Sequence, residues 1–303
     1  MHSQSGFRSY APMSASRSSI EHLLREASKD DGCRWQSLGR GVGGCSWQVT
    51  CGDHIWFVKT QADALDMFSA EAEGLRALAD VGAVRVPSVV AADEQNGEAF
   101  LIMEWLELGR KTDQAAARLG KALAHQHQCL GAHYGWRRNN FIGVTPQFNT
   151  SSDNWVNFFG DHRLGFQLRL AAENGFRGEL QAQGARLLER LPAFFKGYIP
   201  KPSLLHGDLW SGNWGVSESG EPLIFDPAVY HGDREADLAM TELFGGFPTE
   251  FYLAYNAVWP VDGGYPIRSK IYNLYHVLNH LNQFGSNYLD QAHVLMEQLL
   301  TQV

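Results

Sequence analysis

The spacing of apolar residues changes twice along the chain. Leu23, Leu24 and Ala27 recur at helical intervals behind Ser19, a potential cap, and Gly32 closes the run, so a helix is expected over 20–29. Short β-prone runs follow at 35–38, 46–51 and 54–60, separated by Gly39, Gly41, Gly43, Gly44 and Gly52. A helix over 62–80 then precedes strands at 87–92 and 99–105 joined at Asn96 and Gly97. Beyond Trp105 the pattern is helical over 113–130, 155–173, 179–195 and most of 235–303. A β interlude at 204–208 and 214–226, with a turn at Ser219 and Gly220, interrupts it. This order predicts an α+β protein of two lobes rather than a βαβ repeat. A flexible Ser-rich tail (1–18) would precede an antiparallel-sheet lobe (19–104) and a mainly helical lobe (105–303).

Composition narrows the possible partners. Of 303 residues, 44% are hydrophobic and 19% charged, enough for a sizeable core and too few charges for disorder throughout. The net charge of −8 gives nucleic-acid binding little electrostatic support. No apolar run approaches the ~20 residues of a membrane span, and residues 1–19 lack the apolar stretch of a secretory signal. Cys33, Cys45, Cys51 and Cys129 form neither a CxxC pair nor a disulfide framework, so a cytoplasmic location is expected.

The chemistry concentrates in His206-Gly207-Asp208-Leu209-Trp210-Ser211-Gly212-Asn213 and, thirteen residues after Asn213, Asp226-Pro227. Asp, Gly and Asn are common turn residues, and a lone HxD would be read that way. The combined spacing brings three oxygen donors to strand ends, a set suited to Mg²⁺, which takes one or two protein ligands plus substrate phosphates. Phosphoryl transfer needs charge neutralisation, an oriented acceptor hydroxyl and positioning. Asp208 would accept the hydroxyl proton, while Asn213 and Asp226 would hold Mg²⁺.

The first lobe supplies complementary groups. Strand parity puts Ile55, Phe57 and Lys59 on one face, so Lys59 would meet phosphates and Phe57 would pack on adenine. On the next helix Phe68, Glu71, Leu75 and Leu78 share a stripe, making Glu71 the expected partner of Lys59. Gly41, Gly43 and Gly44 would let backbone N–H groups approach phosphates, although the stretch is not a Walker A motif. Backbone groups near Glu104 and Leu106 would face the adenine edge.

These residues resemble the protein-kinase-like fold in its small-molecule branch, the group that includes aminoglycoside phosphotransferases. More closely, the chain resembles the fructosamine kinase (ketosamine-3-kinase) family from about residue 20 onward. The resemblance is carried by Leu205 to Asn213, Phe225 to Ala228, Gly232 to Met240, Leu274 to His280, Phe284-Gly285 and Asn140 to Gly143. It implies ATP-dependent phosphorylation of a ketosamine at the 3-position, on free glycated amines or glycated proteins. It also implies Asp208 as proton acceptor and adenine contacts at Trp105, Leu106 and Glu107. His231 stands where the family frequently has an aromatic such as Tyr, which leaves sugar preference open.

Trp210, Asp233 and Arg234 are substrate-side candidates. For Asp233 a helix N-cap is the competing reading, and loop bracing is open to Asp233, Arg234 and Asp237 alike. Trp155, Phe158 and Phe159 have helical spacing that favours core packing over a sugar pocket. His125, His127 and Cys129 do not share a helix face, and His276 with His280 lacks a third ligand, so neither set is read as a metal site. Cys45, beside the glycine stretch, is a candidate oxidisable thiol. The rival functions are a kinase of another hydroxylated amine, of aminoglycoside or choline type, and a non-catalytic nucleotide-binding regulator. A monomer or weak dimer is expected.

Overall fold

The structure, a computed structural model, describes residues 15–30, 32–41 and 43–302. The expected tail lies outside the described residues up to residue 14. Residues 15–18 instead belong to the first helix, which begins earlier than the apolar stripe suggests. The chain forms two compact units, one comprising residues up to 69 with 89–105, the other 70–88 with 106–303.

In the first unit, α1 (Ala15–Ser28) precedes β1 (Cys33–Gly41), β2 (Gly44–Cys51), β3 (His54–Ala62), β4 (Val89–Gln95) and β5 (Glu98–Glu104). The five strands form one antiparallel sheet in the order β1-β2-β3-β5-β4. Asn96 and Gly97, with φ of 53° and 77°, make the tight turn between β4 and β5. Ile20 and Leu24 of α1 pack with Val49, Trp56, Val58, Phe100 and Ile102, covering one side of the sheet. Phe57 and Lys59 therefore occupy its other side.

The ladder also places Cys33 opposite Cys51, where they form a disulfide. Motif spacing could not reveal this pair, because the two residues meet only across a hairpin. The absence of a CxxC pattern therefore did not mean the absence of a disulfide.

The helix α2 (Leu65–Val81) contributes its first five residues to the first unit and the rest to the second. The second unit continues with α3 (Asp113–His127), β6 (Asn140–Ile142), β7 (Thr145–Gln147), α4 (Trp155–Phe159), α5 (Gly165–Glu173) and α6 (Glu179–Arg190). Four short strands follow: β8 (Ser203–Leu205), β9 (Trp214–Val216), β10 (Pro222–Ile224) and β11 (Tyr230–Gly232). The chain ends in α7 (Glu235–Leu243), α8 (Thr249–Val258), α9 (Tyr265–Phe284) and α10 (Leu289–Leu300).

The core is built from α9, flanked by α5, α7 and α10, with Trp155, Phe158 and Phe159 buried in it as packing residues. The helix expected over 155–173 is interrupted by a π turn, Gly160–Leu164. Thr112 caps α3 by accepting from the Ala115 N–H. The antiparallel pairs β6–β7, β9–β10 and β8–β11 have three-residue strands, too short to show alternation. Among the described residues no helix is long and apolar enough to cross a membrane.

Candidate active site

The site of the second unit grows from β8. Buried Leu204 and Leu205 pair with β11 and deliver the chain into the His206–Asn213 loop. Gly207 is required at its tip. Its φ is 85°, and an added Cβ would run into the Ala228 carbonyl. The β9–β10 hairpin then sets Asn213 and Asp226 at one end of a two-stranded ladder, tied by Phe225 N–H to the Asn213 carbonyl at 3.1 Å.

Three hydrogen bonds join Asp208 to this end. Asn213 Nδ2 donates to the Asp208 carbonyl (2.9 Å) and to Asp208 Oδ2 (3.3 Å). The Asp208 N–H donates to His206 Nδ1 at 3.2 Å, so the ring proton lies on Nε2, which donates to the Phe225 carbonyl at 2.9 Å. Burial pushes the His206 pKa down, keeping that neutral form. One imidazole thus couples the proton-acceptor candidate to the residue before Asp226.

Burial raises the Asp208 carboxyl to about 7, and the charges of Asp226 and Asp237 add to it. A carboxylate poised near neutrality suits proton acceptance better than an ordinary Asp. Asp226 has φ of 56°, a left-handed conformation uncommon outside glycine, asparagine and aspartate. Such backbone persists only where its surroundings fix it, and it marks functional positions. Since the Asn213 amide nitrogen is occupied by Asp208, its Oδ1 is the atom left for a ligand. One carboxylate and one amide oxygen form a hard donor pair. Among the described residues no group of three or more His, Cys, Asp or Glu converges as an alternative metal site.

Behind the loop lies a buried brace. Asp237 on α7 accepts from the His206 N–H (2.7 Å, Oδ2) and the Gly207 N–H (2.8 Å, Oδ1). His127 Nε2 donates to Asp237 Oδ2 at 3.1 Å. Tyr255 OH meets His127 Nδ1 at 2.8 Å, and Arg234 Nη1 donates to Tyr255 at 3.1 Å. Burial alone would raise Asp237, but these donors outweigh it and hold its carboxyl below the ordinary range. Burial lowers His127, which stays neutral.

Sequence reasoning offered loop bracing for Asp237 as one alternative and overlooked His127 and Tyr255. The face argument considered His125, His127 and Cys129 only as a joint metal set. It said nothing of a lone histidine pairing with a carboxylate 110 residues away.

The substrate-side candidates divide. Trp210 is 39% exposed and lays its indole over Gly212. Asp233 is fully buried and accepts from Tyr272 OH (2.6 Å), Tyr198 OH (3.0 Å) and the Glu235 N–H (3.0 Å). Arg234 is buried, donates to the Trp259 and Pro260 carbonyls at 2.7 Å each, and stacks over Trp259. Both are taken up by protein partners, which argues against substrate contact. Asp233 secures the first turn of α7, and Arg234 terminates the brace.

In the first unit, Gly41 and Gly44 pair across the β1–β2 hairpin, with Gly43 in its turn. Gly44 has φ of 97°, and a Cβ there would strike the Thr60 carbonyl. Phe57 and Trp105 stack at 6.4 Å between ring centroids, forming an aromatic platform beside Glu104. Lys59 lies one pleat further along the same face, opposite Leu101 of β5. Within the second unit, Glu71 is half-buried on α2, Leu106 is half-buried and Glu107 is exposed. Gly109 N–H bonds the Val216 carbonyl at 2.7 Å, securing the segment after Glu107 to β9.

The fructosamine kinase family model matches residues 18–302. A Synechocystis protein described as a probable ketoamine kinase is 45% identical over 85% of this chain and 88% of its own. The rice chloroplastic protein-ribulosamine 3-kinase is 40% identical over 85% of this chain and 77% of its own. A crystal structure from Thermobifida fusca, described as a putative fructosamine-3-kinase, superimposes with a TM-score of 0.84 at 30% identity, covering 93% of this chain and 99% of that one. An aminoglycoside phosphotransferase solved with ADP and hygromycin B shares the fold, with a TM-score of 0.65 at 16% identity over 93% of this chain and 97% of its own. The chain therefore belongs to the fructosamine kinase family, phosphotransferases that act on hydroxyl groups and use ATP.

Proposed function

We propose that the protein transfers the γ-phosphoryl group of ATP to the 3-hydroxyl of a ketosamine, on free glycated amines or glycated proteins, as a deglycation repair kinase. The observation that carries this is the Asp208–Asn213–Asp226 arrangement, with Asp208 raised toward neutrality and linked through His206 to Phe225, the residue before Asp226. The relatives named as ketoamine and ribulosamine kinases point to the acceptor.

In this reading Asp208 orients the acceptor hydroxyl and takes its proton as the oxygen bonds to phosphorus and the bond to ADP breaks. Asn213 Oδ1 and the Asp226 carboxylate would hold Mg²⁺, which neutralises phosphate charge when bound. In the first unit, the Phe57–Trp105 platform is the proposed adenine contact. The backbone at Glu104 would serve its polar edge and Lys59 the phosphates, with the glycines of the β1–β2 hairpin beside them. Leu106 and Glu107 complete the proposed nucleotide contacts, and Glu71 is the proposed counter-charge for Lys59. Trp210 is the remaining sugar-side candidate. A monomer or weak dimer in the cytoplasm, where ATP is available, completes the proposal; the rice relative is named as chloroplastic.

The test measures ADP release with fructosyl-lysine, ribulosyl-lysine and aminoglycoside acceptors, with the phosphorylated carbon located by NMR. Transfer to a ketosamine 3-hydroxyl is expected. Transfer only to an aminoglycoside, or to none of these, would refute the acceptor assignment.

A further inference from the structure

The β6–β7 hairpin carries no group that the phosphoryl-transfer reading uses, yet it grips the residues beside Asp226. Asn140 Nδ2 donates to the Val229 carbonyl at 2.7 Å. Gln147 Nε2 donates to the Ala228 carbonyl at 3.1 Å and to Asn140 Oδ1 at 2.8 Å. Asn140 and Gln147 are directly paired across the hairpin. Two amides from one rung thus hold consecutive carbonyls just beyond Asp226. From the other side, the Ala228 N–H bonds the His206 carbonyl at 2.8 Å.

The hairpin is itself fixed from two sides, by Arg163 and by α9. Arg163 Nη2 donates to Asn149 Oδ1 at 2.7 Å, and Asn149 Nδ2 passes the link to Asn140 Oδ1 at 2.8 Å. Arg163 Nη1 takes the Phe148 carbonyl at 2.6 Å. Tyr275 OH donates to Gln147 Oε1 at 2.9 Å, and Gln283 Nε2 to the Ile142 carbonyl at 3.0 Å, both from α9.

Arg163 shows how much is invested here. It is fully buried, and among the described residues it makes no ion pair. Its charge rests on the faces of Tyr230 (4.1 Å) and Phe158 (4.7 Å), and its Nε has no partner. An apolar side chain would fill that place without the desolvation cost. What only a guanidinium adds is two directed donors, and both reach the stretch at the end of the hairpin. The π turn that carries Arg163 is closed by the Gly165 N–H on the Gly160 carbonyl, five residues back. Such turns recur at functional positions.

We infer that Asn140 and Gln147 are positioning residues for Asp226, anchored by Arg163 and Tyr275, and that the hairpin sets the left-handed backbone which aims its carboxylate. This rests on reading Asp226 as the magnesium ligand. The hydrogen bonds act on the backbone two and three residues beyond that ligand; losing groups that orient a metal ligand changes affinity about 10- to 100-fold, and the lower end is expected here.

The test compares Asn140→Ala, Gln147→Ala and Tyr275→Phe with the wild type. Calorimetric titration of ADP at graded Mg²⁺ is the primary readout, and Mg²⁺ activation of ADP release is the second. The two alanine variants should need about tenfold more Mg²⁺ for half-maximal nucleotide binding, and Tyr275→Phe about threefold more. Excess Mg²⁺ should restore most of the lost turnover, which a merely loosened fold would not do.

An unchanged Mg²⁺ requirement, or a loss that follows thermal stability and resists added Mg²⁺, overturns the inference. Should the alanine variants fail to fold, Tyr275→Phe removes one hydroxyl and still decides. If the wild type phosphorylates no ketosamine yet binds ADP with Mg²⁺, the acceptor reading fails while the calorimetry still judges the hairpin.

Discussion

Replacing Asp237 with Asn keeps the shape of the brace and removes its charge. The carboxylate offers Oδ1 to the Gly207 N–H and Oδ2 to the His206 N–H. An amide has one oxygen. Whichever way it turns, its NH₂ faces one of these two backbone donors, and no change of His127 tautomer repairs that clash. One hydrogen bond to a charged acceptor is lost, about 1.5–3 kcal/mol, and the opposed buried N–H adds about 1–3 kcal/mol. The expected total of about 2.5–6 kcal/mol is a large share of the 5–15 kcal/mol typical of a folded domain.

That cost divides between global stability and misplacement of Asp208, one residue beyond Gly207. If 3 kcal/mol of it opposed the transition-state geometry, kcat would fall by about two decades. Urea unfolding and steady-state ADP release on the same preparation would measure the two shares. A stability within 0.5 kcal/mol of the wild type together with a kcat within twofold, margins of about experimental scatter, would refute the bracing argument.

Asp208→Asn should abolish turnover while calorimetry still detects ADP, because the proposed adenine and metal contacts lie on other residues; near-normal turnover would remove its role. His276 is buried, and burial is the chief cause that lowers its pKa from 6.5 to about 3. Below pH 6.5 the unfolded chain therefore binds a proton that the folded one refuses, and stability drops by about 1.4 kcal/mol per pH unit as pH falls toward 5. His276→Gln should remove that share, up to about 1.4 kcal/mol per pH unit, from the acid-side slope in urea melts at pH 7.5 and 5.0; an unaltered slope would count against the assignment. Gly207→Ala forces a side chain into the Ala228 carbonyl at a positive φ and should cost at least about 2 kcal/mol, read by thermal unfolding. Reducing Cys33–Cys51, or replacing both with Ser, opens a loop of 18 residues and should cost about 3 kcal/mol; equal melting with and without dithiothreitol would contradict it.

The parts legible in the sequence were those with local periodicity or dense motif spacing. The five-strand sheet was marked by glycines and the Asn96–Gly97 turn, and the Asp208–Asn213–Asp226 group by its loop context. Boundaries drifted where a signal was one-sided, as at Ala15, four residues before the expected cap at Ser19. Long-range pairings left no trace: Cys33 with Cys51, His127 with Asp237, and Arg163 with the stretch after β7. Asp233 and Arg234 drew attention as charged residues in the Gly232 to Met240 run that carries the family resemblance. Their partners, Tyr272 and Trp259, come from regions whose distance in sequence hides the contact. The π turn was invisible because the short runs on either side of it, Trp155–Phe159 and Gly165–Glu173, each keep helical spacing by themselves.

The backbone at Asp226 narrows what can replace it. Glycine and asparagine tolerate that torsion, and each is a single nucleotide away from aspartate in the genetic code. Both would abolish or weaken the proposed cation capture while leaving the main chain at ease. A lineage released from selection for catalysis could therefore fall silent here through one base change and keep its architecture, a short evolutionary road to a folded but inert descendant.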